Sequence, residues 1–300
     1  MCPKIQISMK LSFLWMIGGV VFLTLLGYSS IYGLSERQLT VHSNSLPFTE
    51  IIPIDSASIE KGRHIADTRG CTGCHGNQLE GRDLSEEWPD VGTPVAPNLA
   101  KYVREHDPSV TEAAIRKGIG QNGKALFTMP SLSFATLSTT DVASLIGFFQ
   151  SMPVVEKELP DPALNIRSRW ALIRGAELDM VSKVGALPKL LSLDAGTPLA
   201  RGQYLAMTTC IECHGSDLRG ASWGPPDLSI VSAYSKSGFN RLLKEGIGLG
   251  DREDLGLMTE VARGQFMHFS EMEVEDLYLF LQTLKDYPIA EDVYWRAQNP

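Results

Sequence analysis

The sequence predicts a mostly α-helical protein, in which an N-terminal transmembrane helix precedes two similar helical units in tandem. Three observations lead to this fold class. A long apolar segment opens the chain, three sequence blocks occur twice in the same order, and the segments around them show helical periodicity without sustained strand alternation. The 300 residues are enough for two ordinary domains, and 43% apolar with 21% charged residues is normal for globular protein.

The apolar segment runs from Leu11 to Ser35 without a charged residue. At a rise of about 1.5 Å per residue it can cross a hydrocarbon core of about 30 Å. Lys4 and Lys10 precede it, which favours a cytoplasmic N-terminus. We therefore predict a membrane anchor at residues 1–35 and a tether at 36–54.

A cleaved signal peptide is the alternative interpretation of this segment. Signal peptides have apolar cores of about 7–15 residues and a small-residue cleavage site, whereas this core is longer and no clear A-x-A follows it. Under either interpretation, the part of the chain after this segment is exported across the membrane. The predicted location is the bacterial inner membrane, single-pass, with the remainder on the periplasmic side.

Acidic residues are concentrated in the exported part. The formal net charge is -8, and residues 197–300 contain 9 Lys and Arg against 15 Asp and Glu. Nucleic-acid binding normally uses a basic face, so the charge argues against a nucleic-acid partner. An acidic surface can steer a basic protein partner or serve solubility alone.

Three blocks repeat along the exported chain. GRHIADTRGCTGCHG from Gly62 parallels GQYLAMTTCIECHG from Gly202, AIRKGIG parallels LLKEGIG, and LSTTDVASLIGFF from Leu137 parallels FSEMEVEDLYLFL from Phe269. The last pair has apolar residues at helical spacing and a Ser followed three residues later by an acid, a helix N-cap pattern. We predict units at 55–153 and 197–300, and a linker at 154–196 that packs across both units.

Each unit contains one C-x-x-C-H motif, formed by Cys71, Cys74 and His75 in the first unit and by Cys210, Cys213 and His214 in the second. A shared structural zinc would leave the duplicated surroundings unexplained. A redox dithiol would accompany a βαβ pattern, which the sequence does not show. C-x-x-C-H is the attachment signature of c-type haem, in which both thiols bond to the haem and the His ligates the iron. The sequence thus predicts two covalently attached haem c groups.

Residues 55–290 resemble class I cytochrome c domains fused in tandem. The resemblance implies small helical folds around haem and a methionine as sixth iron ligand, in a loop before the last helix. In the first unit Met129, followed by Pro130, fits this role better than Met152, which lies past the final helix. The resemblance also implies a proline whose carbonyl accepts a hydrogen bond from the proximal His, for which Pro97 and Pro226 are candidates.

The second unit offers three candidate methionines, Met258, Met267 and Met272. The His-to-Met spacing favours Met267, which is 53 residues after His214, as Met129 is 54 after His75. The distance from the repeated GIG block favours Met258, because the block begins 12 residues before it and 11 residues before Met129. We choose Met258 and keep Met267 as the rival.

Several residues have weaker assignments. Trp88 and Trp223 are candidates to pack near a haem edge, although a general aromatic core is an equal reading. Cys2 is expected to be an incidental cytosolic thiol, and His268 is a reserve ligand. The expected surface or loop histidines are His42, His64, His106 and His268.

These features predict an electron carrier that is not itself an enzyme. Its expected partners are a dehydrogenase or quinol-oxidising complex on one side and an oxidase or soluble cytochrome on the other. The resemblance extends to cytochrome subunits of bacterial membrane dehydrogenases. The chain has no flavin, quinone or molybdenum motif of its own, so the catalysis of such a complex would lie on another polypeptide. The alternative is a haem enzyme, either a dihaem peroxidase with one accessible iron or a thiosulfate-oxidising cytochrome.

Overall fold

The computed structural model describes residues 4–40, 47–187, 196–220 and 224–286, with side chains from residue 13 onward. The predicted mostly α-helical class is confirmed. Helix α1 spans Lys4–Leu39. Its apolar part, Phe13–Leu39, is long and apolar enough to cross a membrane, a property that signal sequences share. The helix continues four residues beyond the predicted anchor boundary.

The first unit contains six α-helices in the described chain, and a π-helical turn at Ala113–Lys117 continues the fourth of them. Asp55 and Ser138 cap the first and the last helix by accepting backbone N–H groups. The predicted cap at Ser138 is thereby confirmed. The helices are α2 (Ser56–Thr68), α3 (Cys71–His75), α4 (Leu99–Glu105), α5 (Pro108–Glu112), α6 (Ser131–Phe134) and α7 (Thr139–Ser151).

Short strands hold the loop between α3 and α4. Each has two residues, and they form two antiparallel pairs, β1 with β3 and β2 with β4. The strands are β1 (Arg82–Asp83), β2 (Gly92–Thr93), β3 (Val95–Ala96) and β4 (Ala163–Leu164). Because β4 belongs to the predicted linker, the linker is hydrogen-bonded to the first unit.

The linker also joins the first unit to α1. Its helices are α8 (Ile166–Ile173) and α9 (Met180–Gly185). Leu39 of α1 and Leu172 of α8 share a small buried cluster with Ala125. At the far end, Leu187 packs against the core of the second unit. The prediction that the linker contacts both units agrees with these contacts.

The second unit repeats the helical order of the first. A 3-10 helix at Leu228–Ala233 precedes α12. Ser270 and Glu273 form a complete capping box at the start of the last helix, as predicted. The α-helices described here are α10 (Pro198–Thr209), α11 (Ile211–His214), α12 (Lys236–Glu245), α13 (Leu257–Gly264) and α14 (Glu271–Thr283).

In each unit the first helix crosses the last at a glycine. A Cβ atom on Gly62 of α2 would lie 2.0 Å from the Ser144 carbonyl oxygen of α7. On Gly202 of α10 it would lie 1.9 Å from the Asp276 carbonyl oxygen of α14. Only glycine permits backbones to approach this closely. The crossings organise two separate hydrophobic cores, one in each unit.

Candidate haem sites

The first C-x-x-C-H motif forms the short helix α3, which starts after a left-handed Gly70. His75 is buried at 7% exposure, and its Nδ1 lies 2.8 Å from the Pro97 carbonyl oxygen. A carbonyl can only accept, so Nδ1 carries the proton and Nε2 keeps a free lone pair. Desolvation lowers the pKa of His75, with the Pro97 hydrogen bond acting in the opposite direction. The ring is therefore a neutral imidazole, the form that binds metals.

The second motif has the same geometry. His214, at the end of α11, donates from Nδ1 to the Pro226 carbonyl oxygen at 2.8 Å. Burial lowers the pKa of this imidazole too. Both hydrogen bonds predicted from the positions of Pro97 and Pro226 are present. The bond fixes the plane of each ring and leaves Nε2 available to a metal.

The loops after the two motifs follow one backbone path. Gly81 donates its N–H to the His75 carbonyl at 2.7 Å, and Gly220 does the same to His214 at 2.8 Å. Leu79 and Leu218, both buried, adopt left-handed backbone conformations with φ of 59° and 61°. A left-handed leucine costs roughly 1–2 kcal/mol. Both side chains belong to the hydrophobic core of their own unit.

A cavity of about 790 Å³ lies between the first unit, the end of α1 and the linker. It is lined by all four residues predicted to hold the first haem: Cys71, Cys74, His75 and Met129. Its size falls in the range of about 300–1,000 Å³ that is usual for cofactor sites. The walls include apolar side chains of α4, α6 and α7, and they also include Trp88, which was a candidate either for a haem edge or for a general aromatic core. The residues present thus fit a haem group.

The methionines of the second unit differ in burial. Met258 packs against the second core, as does Cys210. Met267 and Met272 are 49% and 62% exposed. Met258 lies in the first turn of α13, whereas Met129 precedes Pro130 outside a helix. Burial therefore favours Met258 over Met267 as a residue that faces an internal cofactor.

The zinc and dithiol alternatives gain no support. Within the described residues, no three His, Cys, Asp or Glu side chains cluster as ligands of a metal ion would. Burial raises the pKa of the Cys71 thiol to about 12 and that of Cys210 to about 11. Reactive thiols in redox motifs have lowered pKa values instead. The direction of these pKa shifts argues against a reactive redox dithiol at either motif.

Some residues at the contact between the units were not identified from the sequence. His64, expected on the surface or in a loop, lies on α2 and binds Glu273 of the other unit at 2.8 Å. Arg69 is buried at 8% exposure. The sequence signal that could have identified His64 is its place in the repeat, since His64 and Tyr204 both follow the crossing glycine of their unit by two residues. The assignments of Cys2, His42 and Trp223 lie outside the described residues.

Comparison with known proteins gives two results. Residues 199–285 match the cytochrome c family model. The cytochrome c subunits of alcohol dehydrogenase (quinone) from Gluconacetobacter polyoxogenes and Komagataeibacter europaeus are each 29% identical over 175 residues, which is 53% of this chain. The chain covers only 36% of the length of these relatives. The site geometry and these matches agree in assigning residues 199–285 to a cytochrome c domain.

Proposed function

We propose that the chain is a membrane-anchored dihaem cytochrome c that relays electrons for a membrane dehydrogenase. The observation that carries this proposal is the repeated His-to-proline-carbonyl hydrogen bond, 2.8 Å in both C-x-x-C-H segments. The first segment lies outside the part that matches the family model, yet it has the same local geometry as the second. The same geometry at both motifs supports the same cofactor in both units.

The residues divide into two matching sets. Thioether bonds would form at Cys71 and Cys74 in one unit and at Cys210 and Cys213 in the other. The neutral rings of His75 and His214 would supply the proximal ligands, and Met129 and Met258 the sixth ligands. Bound haem supplies a one-electron centre, and His–Met ligation leaves no open position for a substrate. The protein orients the imidazoles and excludes water with its two cores.

The N-terminal helix supports a membrane location. Its uncharged stretch and the preceding lysines agree with a single-pass anchor whose haem units lie on the periplasmic side. The end of the helix is fixed to the linker, because buried Arg169 of α8 donates to Glu36 at 2.9 Å and to Ser35 at 2.8 Å. It is also fixed to the first unit, because Ala125 donates its N–H to the Leu39 carbonyl at 2.8 Å. An anchor attached in this way would keep the first unit close to the bilayer.

The names of the similar proteins indicate a class of redox partner. They are named as cytochrome c subunits of a quinone-linked alcohol dehydrogenase. We therefore propose a dehydrogenase or a quinol-oxidising complex as donor and an oxidase or soluble cytochrome as acceptor. Purification from membranes in mild detergent tests this directly: a co-purifying dehydrogenase subunit is expected, and a chain that elutes without any redox partner would contradict it.

Haem counting tests the cofactor proposal. The full chain should carry two haems, measured by the pyridine haemochromogen absorbance and by intact mass. Replacing Cys71 and Cys74 by Ser should remove one haem, and replacing Cys210 and Cys213 by Ser should remove the other. A full chain with a single haem would refute the dihaem proposal.

Carbon monoxide binding separates the carrier from the enzyme alternative. Two Met-ligated haems in the reduced protein should bind almost no carbon monoxide, because both axial positions are filled. Binding at half of the haem would instead favour a dihaem peroxidase with one accessible iron.

A further inference from the structure

The two units meet through a pair of equivalent contacts. His64 of α2 binds Glu273, the third residue after the N-cap of α14, at 2.8 Å. Tyr204 of α10 donates its hydroxyl hydrogen to Asp141, which has the same cap position in α7. Each unit thus uses its first helix to contact the start of the last helix of the other. The contact is approximately two-fold symmetric.

Arg69 lies inside this contact and breaks the symmetry. Its guanidinium donates to Thr68 Oγ1 at 2.7 Å and to Thr208 Oγ1 of the other unit at 3.0 Å. The two threonines are fully buried and occupy equivalent positions of the repeat. Between Thr208 and Cys210 the second unit has only Thr209, so it has no arginine at this place in the repeat. Arg69 of the first unit therefore contacts the equivalent threonines of both units.

Arg69 forms no ion pair within the described residues, and the carboxylates of Glu273 and Asp141 act on its charge only through space. Its hydrogen bonds in the described chain go to hydroxyl groups, and its buried Nε atom has no acceptor. The side chain also lies 6.0 Å from the centre of the Phe269 ring. A charge that is removed from water and has no carboxylate against it acts over a longer distance than an exposed one.

Arg69 is close to both C-x-x-C-H motifs. It lies two residues before Cys71 and lines the cavity of the first unit. The Thr208 hydroxyl that it contacts lies two residues before Cys210. The guanidinium therefore stands between the two points at which haem would be attached.

We infer that Arg69 is a shared electrostatic determinant that raises the reduction potential of both haems. This inference rests on the proposed function, because it requires a haem in each unit. Adding an electron lowers the positive charge of a haem site, so a nearby buried cation stabilises the reduced form. Arg69 acts on the haems from a distance and is not a ligand.

Redox titration of the full dihaem protein in detergent tests the inference. In Arg69→Gln the potentials of both haems should fall, so that each reduced-to-oxidised ratio at a fixed ambient potential drops at least about threefold. Arg69→Lys keeps the charge and should keep both potentials near the wild-type values. Thr208→Asp places a carboxylate against the guanidinium and should lower both potentials as Arg69→Gln does.

Two controls separate charge from packing. Thr208→Val removes the hydrogen bond across the contact but keeps the cation, so it should lower the unfolding temperature without moving the potentials. Arg63→Gln removes an exposed cation from the same helix, where solvent screens it, and should change neither potential.

The outcomes distinguish this inference from the function on which it depends. Two bound haems with unchanged potentials in Arg69→Gln or in Thr208→Asp would overturn the role of Arg69 and leave the dihaem proposal intact. A shift at only one haem would overturn the shared role. A single bound haem in the wild-type chain would instead refute the proposed function.

Discussion

The crossing of α10 and α14 at Gly202 gives the sharpest test of the second unit. In Gly202→Ala the new methyl group would lie 1.9 Å from the Asp276 carbonyl oxygen and 2.8 Å from the Phe280 Cβ atom. An ordinary non-bonded contact is about 3.5 Å, so the helices must separate by about 1.5 Å. The nearest obstacle is backbone, which cannot rotate away.

The energetic consequence combines two opposing effects. Overpacking of a core costs about 1–3 kcal/mol, and a backbone obstacle places this substitution at the upper end. Replacing glycine by alanine inside a helix recovers about 1 kcal/mol of helix propensity. The expected net loss is about 2 kcal/mol, which corresponds to a decrease of about 10 °C in the unfolding temperature of a domain of this size.

Thermal unfolding followed by far-ultraviolet circular dichroism measures the effect. Gly264→Ala is the matched control, since Gly264 ends α13 in the same unit and a Cβ atom there would meet nothing within 4 Å. Gly62→Ala should destabilise the first unit as Gly202→Ala does the second. An unfolding temperature of Gly202→Ala equal to or above that of the wild type would refute the close helix crossing.

Three further predictions concern ligation, the contact between units and the anchor. Met258→Ala should lower the potential of one haem and open it to carbon monoxide, while Met267→Ala should do neither; the reverse result would make Met267 the ligand. Desolvation raises the pKa of Glu273, but hydrogen bonds from His64 and Ser270 outweigh it and hold that pKa below 4.5, so its stabilising contribution is present above pH 4.5 and is lost as the pH falls below it. Glu273→Gln should abolish this part of the acid sensitivity, measured by unfolding temperature against pH, and an unchanged profile would contradict it. Arg169→Ala should lower the free energy of unfolding by about 2 kcal/mol, because it removes the charge-assisted hydrogen bonds to Ser35 and Glu36 while Lys124 stays paired with Glu36, and the loss should shrink when Glu36→Gln is added, as a double-mutant cycle of unfolding free energies would show.

Much of the local chemistry could be predicted from the sequence. The C-x-x-C-H motifs, the helix caps at Ser138 and Ser270 and the proline carbonyls that bind His75 and His214 are short-range or repeated patterns. The N-terminal helix follows from an uninterrupted apolar run. Such features are encoded by neighbouring residues, so their physical causes can be read without knowing the fold. The division of the chain into two units and the identity of the haem ligands remain predictions.

Other properties were decided only by the tertiary structure. Two spacings in the sequence favoured different methionines, because the loops of the two units differ in length, and the choice of Met258 depended on the repeated GIG block. Burial against the second core also favours Met258. In the sequence Gly202 looks like any other glycine in a helix, and the need for glycine is apparent only from the close crossing of α10 and α14. The sequence alone thus determined a mostly helical chain with a long apolar N-terminal helix and two C-x-x-C-H motifs. Packing decided the burial of Arg69 between them, because a side chain 139 positions from Thr208 along the chain can meet it only after both units have folded and docked.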